Sequence, residues 1–286
     1  MDKKVKAFLA FAHRIKPGWS ANALAGLIIP ILRLSGVRKD IALRNIALCF
    51  PEKSRQERAA IFSSSCESMI WTGVEMLAWQ KDPSLIDRMA VECEHMERID
   101  EALAAGRGAV VFSAHLGSWE FSAAWLARHY PFYGIVRHSD SPFMKELIET
   151  LRGSSGLRTI SKEENMMRVV SLLRRNNIFG ALGDQHGGGE GEMIPFFGEP
   201  TSTVCGPAAF SVLTGAPMIP FFTQRLAPFK FKIRAEEPIA HPVGMKRDDA
   251  ILYLTKKMNE AYEKMIRENP GQWLWQHRRF REIITD

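Results

Sequence analysis

The run His115-Leu116-Gly117-Ser118-Trp119-Glu120 places a group that exchanges a proton near neutral pH five residues before a carboxylate that can fix its tautomer. On one continuous helix, side chains five apart point about 140° away from each other. They converge only if His115 occupies the turn before a helix and Glu120 its first turn, with Gly117 supplying the backbone freedom. His115 can then take the proton of an attacking hydroxyl while Glu120 stabilises the imidazolium, assistance worth roughly 10²–10⁴ in rate. A glutamate in a first turn also serves capping and the helix dipole. A histidine at a strand end is commonly a plain polar surface residue. Spacing alone leaves both readings open.

The surrounding pattern supplies the required turn. Residues 108–114 (GAVVFSA) form a short apolar run of the kind that makes a buried strand, and a helical pattern follows over 117–129. Further strands are expected at 132–136, 157–160, 178–183, 218–223 and 229–235. Helices are expected at 142–152, 163–175, 204–214 and 248–268, with Asn176-Asn177 as a break. The first ninety residues read as mainly helical: 43–50 up to Pro51, then a long helix begun by Ser54. This alternation implies an α/β fold, a central, mostly parallel sheet flanked by helices, with a helical N-terminal region. Ligands in such sheets bind beyond the carboxyl ends of the strands, which directs attention to residues after Ala114, Val136 and Gly183.

Composition narrows the class. The 286 residues are 46% hydrophobic and 24% charged, without repeats or low-complexity stretches. The net charge is +6, and up to Arg58 twelve Lys/Arg face four acids. That excess, broken by Leu, Ile, Phe and Trp, suits an anionic lipid surface better than nucleic acid. Residues 21–32 (ANALAGLIIPIL) are too short for a spanning helix, which needs roughly 20 apolar residues. Residues 1–36 therefore read as a membrane-associating helical N-terminus, a re-entrant segment being the alternative, and 37–286 as the α/β domain. Cys49, Cys66, Cys93 and Cys205 form no CxxC pair, and reduced thiols in a cytoplasmic compartment are the simplest reading.

Beyond these patterns, His115-x4-Glu120 after its strand resembles the motif of the bacterial lipid A biosynthesis acyltransferases. Other blocks follow in that family's order: RNIALCFPEKSRQE (44–57), VRHSDSPFMKELIETLRGSSGLR (136–158), GDQHGGGEGEMIPFFGEPTSTVCGPAAF (183–210) and WLWQHRRFR (273–281). The resemblance implies transfer of a fatty acyl group from an acyl carrier protein or coenzyme A thioester to a lipid hydroxyl. It further implies His115 as general base with Glu120, and action at the cytoplasmic face of the bacterial inner membrane. It implies no cofactor and no nucleic-acid partner. Two features depart from the family pattern: the N-terminus lacks a recognisable spanning helix, so peripheral anchoring is expected, and the loop 187–192 carries three consecutive Gly and two Glu where basic residues are frequent. The acceptor is therefore left open between a lipid A precursor and another membrane lipid.

The remaining candidates sit at the other strand ends. Arg137 can hold a phosphate of donor or acceptor bidentately, or pair with Asp184 or Glu120. Arg152 can do the same, with a salt bridge the simpler role. Asp184 and Gln185 are expected in the pocket, Asp184 as an organiser beside Arg137. A metal held by His186, His115 and Asp184 is weighed and not adopted. Backbone N–H groups near Gly117 and Ser118 are candidate oxyanion donors. Residues 195–198 (PFFG) are either acyl-channel wall or ordinary core, and Thr201, Ser202 and Thr203 either cap the next helix or lie beside it. Trp275 and Arg278, with Trp273, His277, Arg279 and Arg281, suit a lipid headgroup. A thioesterase using the same pair on water, and a non-catalytic lipid-binding protein, are the rival functions.

Overall fold

The computed structural model describes residues 2–137, 139–162 and 166–284. Helices α1 (Lys3–Ala12), α2 (Trp19–Ser35), α3 (Lys39–Cys49), α4 (Arg55–Trp79) and α5 (Leu85–Met89) come first. There follow β1 (Ala90–Glu94), α6 (Glu97–Ala104), β2 (Ala109–Ser113), α7 (Trp119–His129), β3 (Phe132–Val136), α8 (Pro142–Ser154), β4 (Arg158–Ser161), α9 (Met167–Arg174) and β5 (Ile178–Leu182). The chain continues through β6 (Glu192–Phe196), β7 (Glu199–Thr203), α10 (Gly206–Thr214), β8 (Met218–Ala227), β9 (Lys230–Ala235) and α11 (Arg247–Glu268). Residues 163–165, expected to open the helix that is here α9, lie outside the described residues, as does His138.

Seven strands form one sheet in the order β1-β9-β8-β2-β5-β3-β4. Every neighbouring pair is parallel except β8 with β9. The central strand β2 is buried along its whole length. Its side chains alternate between two apolar layers, as the pleat requires. Ala109 and Val111 join Phe121 and Trp125 of α7, whereas Val110 and Phe112 join Leu254, Met258 and Tyr262 of α11.

The helical N-terminal region is packed onto this body. A full capping box starts α4: Ser54 Oγ accepts from the Glu57 amide, and Glu57 accepts from the Ser54 amide. Val5, Leu9, Ala21, Ala25 and Ile29 share one apolar cluster with Trp71 and Val74 of α4. The opposite side of α2 is bare, with Trp19 and Leu34 more than four-fifths exposed. No single described helix is long and apolar enough to cross a membrane; α2 and α3, bent by 83°, meet that length and composition test only as a pair.

Two expectations change, and one open choice is decided. Thr201, Ser202 and Thr203 cap nothing, because they belong to β7, which pairs antiparallel with β6. Helix α10 begins later, after Cys205, without a side-chain cap. Phe196 is fully buried against Trp273 and Phe280, so it is core. The turn at Phe197-Gly198 uses positive φ at both residues.

Candidate active site

Strands β2 and β5 run parallel in matched register, with Ser113 opposite Leu182. Two residues further along each lie His115 and Asp184, so the two chains leave the sheet with these residues side by side. Neighbouring strands are only about 4.8 Å apart, and the side chains meet. His115 Nδ1 lies 2.9 Å from Asp184 Oδ1, and the His115 amide donates to Asp184 Oδ2 at 2.9 Å. The indole N–H of Trp273 donates to the same Oδ2 at 2.7 Å.

Asp184 is buried, and burial by itself would raise its pKa. The charge and hydrogen bonds of His115, with the Trp273 indole and the His115 amide, outweigh that and hold it below the ordinary carboxylate range. An ionised Asp184 accepts the Nδ1 proton. Nε2 of His115 is then the basic nitrogen. The ring is 19% exposed while Asp184 is 1% exposed, so the base is reachable and its partner is not.

Glu120 does not take this place. Its two oxygens bind Arg152 in a fork, Nε at 2.9 Å and Nη2 at 2.6 Å. The physical reason lies in the geometry of α7. Glu120 is in its first turn, but the sheet register has already filled the Nδ1 side of His115 with Asp184. Burial works against the Arg152 charge, yet Glu120 holds its pKa above the ordinary value. The expected pairing of Asp184 with Arg137 is likewise replaced. Arg137 is exposed and lines a cleft with Lys145, Glu149 and Arg152.

Gly117 makes the turn between strand and helix possible. Its φ is +63°, and a Cβ there would lie 2.0 Å from the Thr223 carbonyl oxygen. Its amide donates to Gln272 O at 3.0 Å, so Gly117 is not an oxyanion donor. Ser118 is fully buried, and the Trp119 amide, in the first turn of α7 where Trp119 lines the cavity, keeps that capacity.

The segment 273–279 closes the site from behind. Leu274 N donates to His115 O at 3.0 Å. Ser65 Oγ donates to Trp273 O, and Asn45 Nδ2 donates to the carbonyls of Trp275 and His277. Trp275 is fully buried, packs against Trp273 and donates its indole N–H to Pro270 O. Arg279 is fully buried as well. It donates to the carbonyls of Gln185 and Ser202 and to Thr203 Oγ1, and lies over the Phe196 ring. Burial pulls its pKa down to about 10 against the opposing pull of Asp184. Trp273, Trp275 and Arg279 therefore cannot meet a lipid headgroup, and Arg278 alone of the pair is exposed. Gln185 reaches this network through its backbone carbonyl.

The parts that sequence reasoning missed are the brace of Trp273 on Asp184 and the buried role of Arg279. The tryptophan-arginine composition of the segment signalled importance, but two adjacent arginines look alike until burial separates them. His186 spends both ring nitrogens, on Glu282 and on the Gly188 amide. Among the described residues no three His, Cys, Asp or Glu side chains converge on one ion.

Beside the dyad opens a narrow apolar cavity of about 70 Å3 between the sheet and α7. Trp119, Glu120, Ser113, Val136 and Arg152 stand at its carboxyl-edge end, and Leu126 and Phe132 at the other. The Trp119 indole lies 5.2 Å from the His115 ring, centroid to centroid. A histidine with a buried carboxylate partner, next to a largely apolar cavity at the strand ends, is suited to acyl transfer.

Comparison with known proteins supplies the family. Residues 8–282 match the model of the bacterial lipid A biosynthesis acyltransferase family, and the chain belongs to that family. It is similar to the lipid A biosynthesis lauroyltransferase of Escherichia coli K12, 28% identical across 87% of this chain and 81% of the relative. The E. coli palmitoleoyltransferase of lipid A biosynthesis is 27% identical across 85% and 79%. A phosphatidylinositol mannoside acyltransferase of Mycobacterium tuberculosis is 32% identical over a shorter part, 62% of this chain and 56% of the relative. The protein is thus an acyltransferase acting on a lipid acceptor.

Proposed function

We propose that the protein transfers a fatty acyl group from an acyl carrier protein or coenzyme A thioester to a hydroxyl of a lipid A precursor or related glycolipid, with His115 as general base. The observation that carries this reading is the His115–Asp184 pair beside the apolar cavity. The alkyl chain enters the cavity and its thioester carbonyl stays at the mouth. Nε2 of His115 takes the proton of the acceptor hydroxyl as its oxygen attacks the carbonyl carbon. Asp184 fixes the tautomer and stabilises the imidazolium. The Trp119 amide stabilises the oxyanion. Collapse of the tetrahedral intermediate breaks the C–S bond, and His115 returns its proton to the leaving thiolate.

Glu120 acts through Arg152, holding the guanidinium at the mouth where the thioester and acceptor meet. Arg137 and Lys145, in the adjoining cleft, are placed to attract a phosphate of donor or acceptor. The exposed apolar side of α2, flanked by N-terminal lysines and arginines, rests on the anionic lipid surface that presents the acceptor.

The test is a mass-spectrometric transfer assay. Wild type and His115→Ala are mixed with both thioester types and a bacterial inner-membrane lipid extract. A new acylated lipid formed only by the wild type is the expected result. Equal transfer by folded His115→Ala would remove the general base from the scheme, and free fatty acid released at full rate without acceptor would make the enzyme a thioesterase.

A further inference from the structure

A buried polar stripe runs down α4. Ser65, Ser68, Thr72 and Glu75 recur at spacings of three and four, which puts them on one helix face. All four are less than a tenth exposed, and polar groups so placed are costly unless each is hydrogen-bonded. Ser65 is spent on the Trp273 carbonyl. The other three meet Arg225 of β8.

Arg225 grips Glu75 in a fork, Nε to Oε1 at 3.0 Å and Nη2 to Oε2 at 2.8 Å. Its Nη1 donates to Ser68 Oγ at 2.7 Å and its Nη2 to Thr72 Oγ1 at 3.0 Å. A guanidinium only donates, so each hydroxyl must accept from it and turn its own proton elsewhere. Both hydroxyls face the Gly117 carbonyl oxygen, Ser68 Oγ at 3.3 Å and Thr72 Oγ1 at 3.1 Å. Thr72 shares its proton with Ser68 O at 3.0 Å. On the other side of Gly117, its amide donates to Gln272 O. The Gln272 side chain in turn bridges the backbone of Arg225, accepting from its amide and donating to its carbonyl, each at 2.9 Å. Residue 225 therefore reaches both polar groups of Gly117, the carbonyl through its side chain and the amide through its main chain.

An ion pair is an expensive way to fill this space. Burial pushes the Glu75 carboxyl up in pKa against the pull of Arg225, and apolar residues of similar volume often serve stability as well or better. What apolar residues cannot do is aim two hydroxyls at one carbonyl. Resting on the acyl-transfer reading above, we propose that Arg225, held by Glu75, is a positioning residue for the reaction: through Ser68, Thr72 and Gln272 it locks the Gly117 turn, and so fixes the spacing between His115, two residues before, and the Trp119 amide, two residues after. The base and the oxyanion donor then face the attacking oxygen and the carbonyl oxygen without rearrangement during the reaction.

Two double variants test the proposal. Glu75→Gln/Arg225→Met removes both charges together and keeps an acceptor for the Phe229 amide, which donates to Glu75 Oε1. Ser68→Ala/Thr72→Val keeps the ion pair and removes the hydroxyls. Each protein is assayed with an acyl carrier protein thioester and the inner-membrane lipid extract across pH, and rates are taken per folded molecule from circular dichroism and urea denaturation. Glu75→Gln/Arg225→Met is expected to lose about 10²-fold in kcat, the cost of a catalytic group displaced by about 1 Å. Its KM for the thioester should stay within about threefold of wild type. The apparent pKa of the base in kcat/KM should not move, because His115 and Asp184 remain paired. Ser68→Ala/Thr72→Val is expected to follow the same pattern, with about a tenfold loss in kcat. A network that only stabilised the fold would lower the urea midpoint and leave kcat per folded molecule at the wild-type value. That result overturns the proposal and leaves the acyl-transfer reading standing. Should Glu75→Gln/Arg225→Met not fold, wild-type kcat in Ser68→Ala/Thr72→Val overturns it alone. If the wild type acylates no lipid from any thioester, the reading beneath it falls as well.

Discussion

Glu120 and Arg152 meet as a two-pronged ion pair at the mouth of the apolar cavity, each carboxylate oxygen facing a different guanidinium nitrogen. The pair joins the first turn of α7 to the last turns of α8. It thereby ties the element that carries the base's turn to the element that flanks the neighbouring strand end. In the proposed scheme Glu120 therefore acts by positioning Arg152.

This has a kinetic signature. Glu120→Gln is expected to raise KM and lower kcat while leaving the pH dependence of kcat/KM unchanged, because the His115–Asp184 pair is intact. Arg152→Lys should fail to restore function, since an ammonium cannot reproduce the fork. With both groups mostly buried, loss of the pair costs roughly 1–3 kcal/mol of stability, between exposed and fully buried pairs. Steady-state kinetics across pH and urea denaturation check both statements.

Asp184→Asn should behave differently. It removes the acceptor that selects the Nδ1–H tautomer, so kcat is expected to fall by about 10²–10⁴ with little change in KM. The Asp184 pKa is depressed in the folded protein, so its contribution to stability is present above the unfolded carboxylate value near 4 and is lost as pH falls through the folded value. Denaturation midpoints of the variant should accordingly lose less than the wild type below about pH 4. An equally steep acid loss in both would count against an ionised Asp184.

His277 offers a separate pH test. Burial pushes its pKa down to about 4, against the attraction of Asp184. Between about 6.5 and 4 the unfolded chain takes up a proton there that the folded protein refuses, so stability falls as pH is lowered across that window. The full loss is roughly 3 kcal/mol. His277→Gln should flatten the decline, measured as the difference in unfolding free energy between pH 7 and pH 4.5.

Gly117→Ala is expected to be among the most damaging single substitutions in the chain. The methyl group meets the Thr223 carbonyl, and the positive φ disfavours any side chain. A loss of about 3 kcal/mol or more is expected, with the dyad displaced in whatever protein folds. Thermal unfolding and a transfer assay on the soluble fraction would measure it.

The exposed side of α2 makes a surface prediction. Replacing Trp19, Ile31 and Leu34 by serine should lower binding to anionic phospholipid vesicles by at least about tenfold, since each buried methylene contributes about 0.8 kcal/mol. Transfer to a detergent-dispersed acceptor should stay within about twofold of wild type. Vesicle co-sedimentation with and without added salt gives the comparison.

Much of this was readable in advance because it depends on local pattern. The apolar run 108–114 announces β2, and the glycine two residues beyond His115 announces the turn. The partner of His115 was not readable in the same way. Glu120 is near in sequence, but Asp184 is near because β2 and β5 are neighbours in one register, and sheet order is a property of the whole fold. The same holds for Trp273, which reaches Asp184 from 89 residues away. The β6–β7 hairpin was missed because its strands contain Pro195 and Pro200, residues that usually argue against a strand. Arg278 and Arg279 are equivalent as letters, and only packing decides which is buried.

The brace of Trp273 on Asp184, and of Leu274 on His115, also carries a consequence for how the enzyme is made. A ribosome delivers His115 and Asp184 well before the residues that lock them. During synthesis the chain therefore holds an unbraced base and an unshielded carboxylate while β8, β9 and α11 are still to come. The site is completed late, when the segment 273–279 docks between Asn45, Ser65 and the strand ends, so a nascent chain that stalls short of it has no finished site.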